Sequence, residues 1–356
     1  MSVYGTRLAA ALVVASCIVG GALECSRPAV SPSERTGAEL YGRMCAVCHG
    51  PAGEGYKADR APAIGHPAFL GSVSDDFLRK AIANGRTGTT MSAWAKTRGG
   101  PLGTDDVEAL VAFLRSWEDR PRPKLDDAPL KGDPARGAVL YARECVRCHG
   151  FHGTGGQFVG IGNRELLASA SDGFLRMAIR GGRAGTEMAA YDEKLSPTEV
   201  DDVIAALRKF ATDAPPAPPP PPPKVPPLPL GPVPLNPHGP EPVGFKTYPD
   251  TTRAAVVKAQ LDRGARMALL DARAPSDYTH EHIAGAVSVP FYDPEPYVAA
   301  LPKNAWLVCY CSCPHAESGQ LAQRLVAKGF KKVTVLEEGL GFWHVQNYGV
   351  REGTSP

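Results

Sequence analysis

The 356-residue chain sets 39 Lys and Arg against 37 Asp and Glu, a net charge of +2, so it carries no basic stripe of the kind that draws a protein onto nucleic acid. That length exceeds one ordinary domain of about 100–150 residues, and 35 Pro and 38 Gly point to several small units with linkers between them.

The N-terminus reads as an export signal over residues 1–25: Arg7 closes a short polar start and an apolar run follows from Leu8 to Leu23. That run is short for a stable membrane span of about 20 residues. Val14-Ala15-Ser16-Cys17 has the form of a lipoprotein box, which would make Cys17 a lipidated membrane anchor; Cys25 follows Glu24 and suits that role less well. The expected location is periplasmic or exported, held by a lipid or by the uncleaved segment if anchored at all.

Residues 34–118 form the first expected domain. A helical stretch around Gly37-Ala38-Glu39-Leu40-Tyr41 leads into Cys45-Ala46-Val47-Cys48-His49, and C-x-x-C-H is the attachment signature for c-type haem. Two thiols at this spacing add to the vinyl groups of one porphyrin, and the adjacent His reaches the iron. A zinc site would need a second ligand pair nearby, and a thioredoxin-like site a βαβ setting; neither surrounds the motif. An amphipathic helix pattern then closes the unit through Val107, Leu110, Val111, Leu114 and Trp117, led by Asp105-Asp106.

The same plan returns in residues 132–212. Cys145-Val146-Arg147-Cys148-His149 follows another Gly-Ala-containing helical stretch, and Phe174-Leu175-Arg176, Gly182-Arg183 and Gly185-Thr186 repeat Phe77-Leu78-Arg79, Gly85-Arg86 and Gly88-Thr89. Met91 and Met188 end matching Gly-Thr-x-Met segments, whereas Met44 and Met177 are read as packing residues and His66 and His152 as packing or surface residues without a counterpart. Val200, Val203, Ile204, Leu207 and Phe210 mark the second closing helix, behind Ser196-Pro197-Thr198-Glu199.

From Glu34 to Thr212 the chain resembles the small class I cytochrome c family, twice over. The resemblance implies two all-α domains and two covalently bound haem c groups. Cys45, Cys48, Cys145 and Cys148 would form the thioethers, His49 and His149 the proximal iron ligands, and Met91 and Met188 the distal ones. A thioether ligand raises the iron potential relative to a second His, which suits an electron carrier serving redox partner proteins. Export is consistent with this, since bacterial proteins of that kind receive their haem outside the cytoplasm.

Two proline-rich stretches divide the chain. Glu118 to Pro134 is expected to separate the haem units, and residues 213–243 to form a semi-rigid spacer with a reach of up to ~90 Å in polyproline II form. Beyond it, residues 244–352 alternate strand and helix signals, the pattern of an α/β domain with a mostly parallel sheet. The expected strands are Ala268 to Asp271, Ala286 to Val289, Trp306 to Cys311 and Lys332 to Leu336, with a helix from Ala316 to Lys328 stopped by Gly329.

Leu270-Asp271-Ala272-Arg273, Asp277-Tyr278, His282-Ile283-Ala284-Gly285-Ala286 and Gly339 through Trp343 resemble the rhodanese family over nearly all of Phe245 to Val350. That resemblance implies a persulfide-carrying Cys where the central strand ends, which by position is Cys311, and thiosulfate or another sulfane-sulfur donor as its substrate. A thiol before a helix N-terminus is also favoured as a nucleophile by the helix dipole. Cys309 is read as inert packing on the opposite face from Tyr310. The loop Cys311-Ser312-Cys313-Pro314-His315-Ala316-Glu317-Ser318 is one residue longer than the usual sulfurtransferase loop and lacks the Arg often found near its end, so phosphatase chemistry is disfavoured. Cys313 is open between a resolving thiol, the nucleophile itself and a disulfide partner; Cys311, Cys313 and His315 also form a weaker candidate set for Cu(I). Two functions stay open: electron transfer coupled to sulfur transfer, or a dihaem carrier whose last domain only binds or senses.

Overall fold

The computed structural model describes residues 32–213, 233–312 and 315–356. The export segment with Cys17 and Cys25, most of the proline-rich run and Cys313 lie outside the described residues. The first helical unit contains α1 (Pro32–Met44), α2 (Ala46–His49), α3 (Pro67–Leu70), α4 (Asp75–Asn84) and α5 (Thr104–Arg115). The second repeats them as α6 (Pro134–Glu144), α7 (Val146–His149), α8 (Arg164–Ser169), α9 (Asp172–Gly181) and α10 (Pro197–Asp213).

Equivalent residues set equivalent boundaries. Ser74 and Ser171 cap α4 and α9, each hydroxyl accepting from the amide three residues on, Phe77 at 3.0 Å and Phe174 at 3.1 Å. Arg115 and Arg208 each clamp the turn between the preceding two helices, donating to Leu70 O and Val73 O in one unit and to Leu167 O and Ala170 O in the other.

The first and last helices of each unit cross closely, α1 on α5 and α6 on α10. Gly37 and Gly137 sit at the two crossings, where a Cβ would run into the Ala109 and Asp202 carbonyls. Glycine costs helix propensity at both places, so close approach is what it serves. Gly137→Ala is expected to destabilise the second unit by about 3 kcal/mol, read as an early thermal transition in calorimetry, because backbone cannot yield as a flexible side chain would.

The two units pack through a reciprocal interface. His66, the N-cap of α3, accepts from Ala68 N through Nδ1 and donates from Nε2 to Ala184 O at 2.9 Å. Asn163, the N-cap of α8, donates to Thr87 O at 2.9 Å. Thr87 and Ala184 hold the same place in the two Met loops, so each unit grips the loop of the other. Phe77 and Phe174, also repeat equivalents, meet at 5.6 Å between ring centroids. His66 thus has a role at this interface, and its counterpart is an Asn, invisible to a search for paired histidines.

The α/β part runs β1 (Thr251–Thr252), α11 (Ala254–Asp262), β2 (Met267–Asp271), α12 (Pro275–His280), β3 (His282–Ile283), β4 (Ala286–Ser288), α13 (Glu295–Val298), β5 (Trp306–Tyr310), α14 (Ala316–Ala327), β6 (Val333–Leu336), α15 (Gly339–Val345) and β7 (Val350–Arg351). Five strands form a parallel sheet in the order β1-β6-β5-β2-β4, and β3 pairs antiparallel with β7. Alternate strand residues face opposite layers: Leu270, Leu307 and Cys309 share a core with Leu321 and Leu325 of α14, while Leu269, Val308 and Tyr310 share one with Val257 of α11 and Leu340 and Trp343 of α15. Cys309 is fully buried and opposite Tyr310, as expected of a packing residue. The central strand ends at Tyr310, one residue before the expected limit, which leaves Cys311 in the loop.

Neither proline-rich stretch behaves as a free spacer throughout. The connection between the helical units is strapped along the second one: Arg176 donates to Asp126 O and Ala128 O at 2.8 and 2.9 Å, and Gly173 N to Asp127 Oδ1 at 2.9 Å. The end of the 213–243 stretch belongs to the α/β part, where Asn236 donates to Gly264 O and Glu241 meets Arg266, Lys332 and Trp306 Nε1. Composition reported the prolines; the polar residues between them decide the anchoring.

Candidate functional site

The two C-x-x-C-H motifs adopt the same geometry. The short helices α2 and α7 begin immediately after Cys45 and Cys145, put the second Cys one turn on, and end on buried His49 and His149. Each His donates from Nδ1 to a carbonyl at 2.9 Å, Pro62 O in one unit and Val159 O in the other, which assigns the tautomer and leaves Nε2 as the nitrogen that could coordinate a metal. Burial lowers the pKa of both imidazoles, favouring the neutral, ligating form. Tyr41 and Tyr141 brace the turns that follow, donating to Gly50 O at 2.7 Å and Gly150 O at 2.9 Å.

The Met loops are also alike. Arg86 N and Arg183 N donate to Met91 O and Met188 O at 2.9 and 2.8 Å; Thr89 and Thr186 accept from the Met amides at 3.1 Å. Gly85 and Gly182, at φ +63° and +58°, let the chain turn back against those Met carbonyls. Both Mets are partly buried. Arg86 and Arg183 lie over Phe77 and Phe174 at 5.3 and 5.9 Å, and burial pushes the Arg86 guanidinium down to about 10. Guanidinium groups poised in this way suit the carboxylates of a porphyrin. The residues present therefore fit a covalently held haem c in each unit. The Pro62 and Val159 carbonyls have no side-chain signature, whereas Tyr41, Tyr141, Arg86 and Arg183 show in the sequence only as repeated residues, without the contacts they make.

Cys311 follows β5 and is 1% exposed; its sulfur lies 3.2 Å from Ser318 Oγ, and its carbonyl accepts from Leu340 N. Glu317 is buried beside it, and burial first, then the charge of Cys311, raises that carboxyl well above the usual range. Arg273 reaches the loop, donating to Ser312 Oγ at 3.2 Å, but Asp271 holds it at 2.9 Å through Nε and 2.6 Å through Nη2. The loop thus has a neighbouring cation that is already neutralised. His315 is the left-handed residue before α14, at φ +64°. Among the described residues no group of three or more His, Cys, Asp and Glu is arranged to hold a metal ion. His282 stacks on Tyr278 at 3.8 Å and bonds to Tyr278 O and Ser355 O, while His344 pairs with Glu281 at 3.2 Å.

The α/β part sits against the first helical unit. Ser92 Oγ donates to Asp277 Oδ2 at 2.6 Å, Ser276 Oγ to Ala93 O at 2.8 Å, and Trp94 meets Tyr292 at 5.6 Å. Burial raises the Asp277 pKa, a change opposed in part by Arg273 and Ser92. A carboxyl raised on folding binds its proton longer in the folded state, so stability falls as pH rises above about 4, the unfolded value. Asp277→Asn is expected to remove that slope and to raise the thermal midpoint more at pH 7 than at pH 4.

The cbb3-type cytochrome c oxidase subunit III family model matches residues 32–114 and 132–205, and the rhodanese-like domain model matches 253–346. Cbb3-type cytochrome c oxidase subunit FixP of Bradyrhizobium diazoefficiens is 29% identical over 174 residues, covering 46% of this chain and 56% of the relative. Subunit CcoP of Azospirillum sp. strain B510 is 25% identical over 182 residues, covering 46% and 57%. The chain spans little more than half the length of these relatives. The rhodanese-like domain of an Anabaena protein is 28% identical over 29% of this chain and 78% of its own, with a TM-score of 0.27. Among the described residues no helix is long and apolar enough to cross a membrane.

Proposed function

Because the chain joins cytochrome c domains of the cbb3 subunit III type to a rhodanese-like domain, we propose that it is an exported carrier of single electrons with two covalent haem c groups, whose last domain handles sulfane sulfur as a persulfide on Cys311. The doubled arrangement of a buried His on a carbonyl, paired thiols and a Met loop supports the haem reading most directly. Bound there, the haem irons supply one-electron chemistry; the chain's residues attach them, fix the imidazole tautomer and bury the site.

In sulfur transfer, the Cys311 thiolate forms an S–S bond to the outer sulfur of thiosulfate as sulfite departs, and cyanide then removes that sulfur as thiocyanate. The redox partners are proteins that exchange one electron at a time; relatives named as oxidase subunits make a membrane-bound oxidase or the carrier feeding it the first class to try. The expected location is the periplasm, with Cys17 the residue to examine for a lipid.

Thiocyanate formation by purified holoprotein tests the sulfur reading. Cys311→Ser is expected to abolish it and Cys309→Ser to leave it, since the latter residue lies in the core between sheet and α14. The near-complete burial of Cys311 and the neutralised Arg273 favour a second reading, a binding or sensing module. No persulfide on Cys311 with any sulfane donor under reducing conditions would select that one.

A further inference from the structure

The contacts that seat the rhodanese-like domain come from the chain segments that build the first haem site. Ser92 and Ala93 follow Met91, and Arg43, just before Cys45, donates to Tyr292 O at 3.4 Å. The helix α2, with Cys48 and His49, packs against α14, the helix that opens after the Cys311 loop. Cys48, where the porphyrin edge would be tethered, is on α2, so the helix that follows the buried Cys311 packs on the haem-bearing segment.

The surroundings of Cys311 also choose among sulfur compounds. Glu317 is buried beside it and Asp277 lies in the same electrostatic neighbourhood, while the charge of Arg273 is taken up by Asp271. Among the described residues the guanidinium nearest the loop is already paired, so a doubly charged anion such as thiosulfate gains less there than a small neutral molecule does.

We propose that Cys311 accepts hydrogen sulfide oxidatively, with the first haem unit as the exit for the electrons. This rests on the reading of Cys311 as a persulfide carrier. The S–H bond of Cys311 and one S–H bond of hydrogen sulfide break, and an S–S bond forms. Two protons pass to water and two electrons leave, one for each of the two ferric haem c groups. The Phe77–Phe174 contact and the reciprocal grip of the Met loops join the first unit to the second, so both acceptors are in one chain. Transfer from thiosulfate, by contrast, moves no net electrons.

The test uses oxidised holoprotein mixed anaerobically with sodium sulfide. Haem reduction is followed by absorbance, and persulfide on the Cys311 peptide by alkylation and mass spectrometry. About one persulfide per chain with two reduced haems is expected, and protein reduced beforehand and freed of reductant should carry about tenfold less persulfide or lower still. Cys311→Ser should slow haem reduction about tenfold or more. Ser276→Arg, a wedge in the domain contact, and Tyr292→Ala, a milder change there, should do the same through misplacement while keeping thiosulfate-derived persulfide at the wild-type level. Equal persulfide on oxidised and pre-reduced protein would overturn the proposal, as would haem reduction in Cys311→Ser at the wild-type rate. If thiosulfate loads Cys311 and sulfide does not reduce the haems, the persulfide reading stands and the oxidative step falls; if no donor loads Cys311, the reading beneath it falls.

Discussion

Replacing both Cys45 and Cys48 with Ala is expected to lower the covalent haem content from two per chain to one, measured by pyridine haemochrome and by intact mass. Each unit contains its own thiols, its own His on a backbone carbonyl and its own Met loop, so attachment in one does not require the other. The matching Cys145→Ala and Cys148→Ala pair should leave the first haem in place. Loss should also weaken the affected unit, because a macrocycle would supply much of the apolar surface that so small a domain needs. The first pair should in addition loosen the rhodanese-like domain, which leans on the Ser92–Trp94 segment and on α2. Wild-type protein with a single haem would contradict the doubled site.

The second large effect concerns potential. Met91→His and Met188→His are each expected to lower one of two midpoint potentials on the order of 0.1 V, part of the ~0.8 V range that axial ligands span. A thioether stabilises the reduced iron relative to imidazole, so the sign is downward. Spectroelectrochemical titration should show one transition moving strongly while the other shifts slightly, since each Met loop is gripped by the opposite unit at Thr87 and Ala184. A substitution that moves neither transition would remove that Met from the ligand set.

Much of the fold was legible because its signals are short-range. The pentapeptides, the Gly-Thr-x-Met repeats and the apolar stripe of Val107, Leu110, Val111 and Leu114 announced helices and candidate sites from neighbours in the chain. The β strands showed as buried apolar runs, and Cys309 fell on its expected face. Other features could not be read this way. The Pro62 and Val159 carbonyls carry no side-chain signature, and His66 pairs functionally with an Asn. Arg176 straps down a connection that composition presented as a spacer, and Glu241 does the same near the end of the longer one.

The order of residues alone determined the motifs: two thiols and an imidazole at the spacing one porphyrin would need, written twice, and a thiol placed where a strand gives way to a helix. Which surfaces meet was decided only in three dimensions. Ser92 and Asp277, 185 positions apart, bond at 2.6 Å, and Arg273 is neutralised beside the very loop that lacks its own cation. Spacing within a motif is set by bond lengths and backbone geometry over a few residues, whereas the seat of one domain on another is set by the shape and charge that distant segments present together.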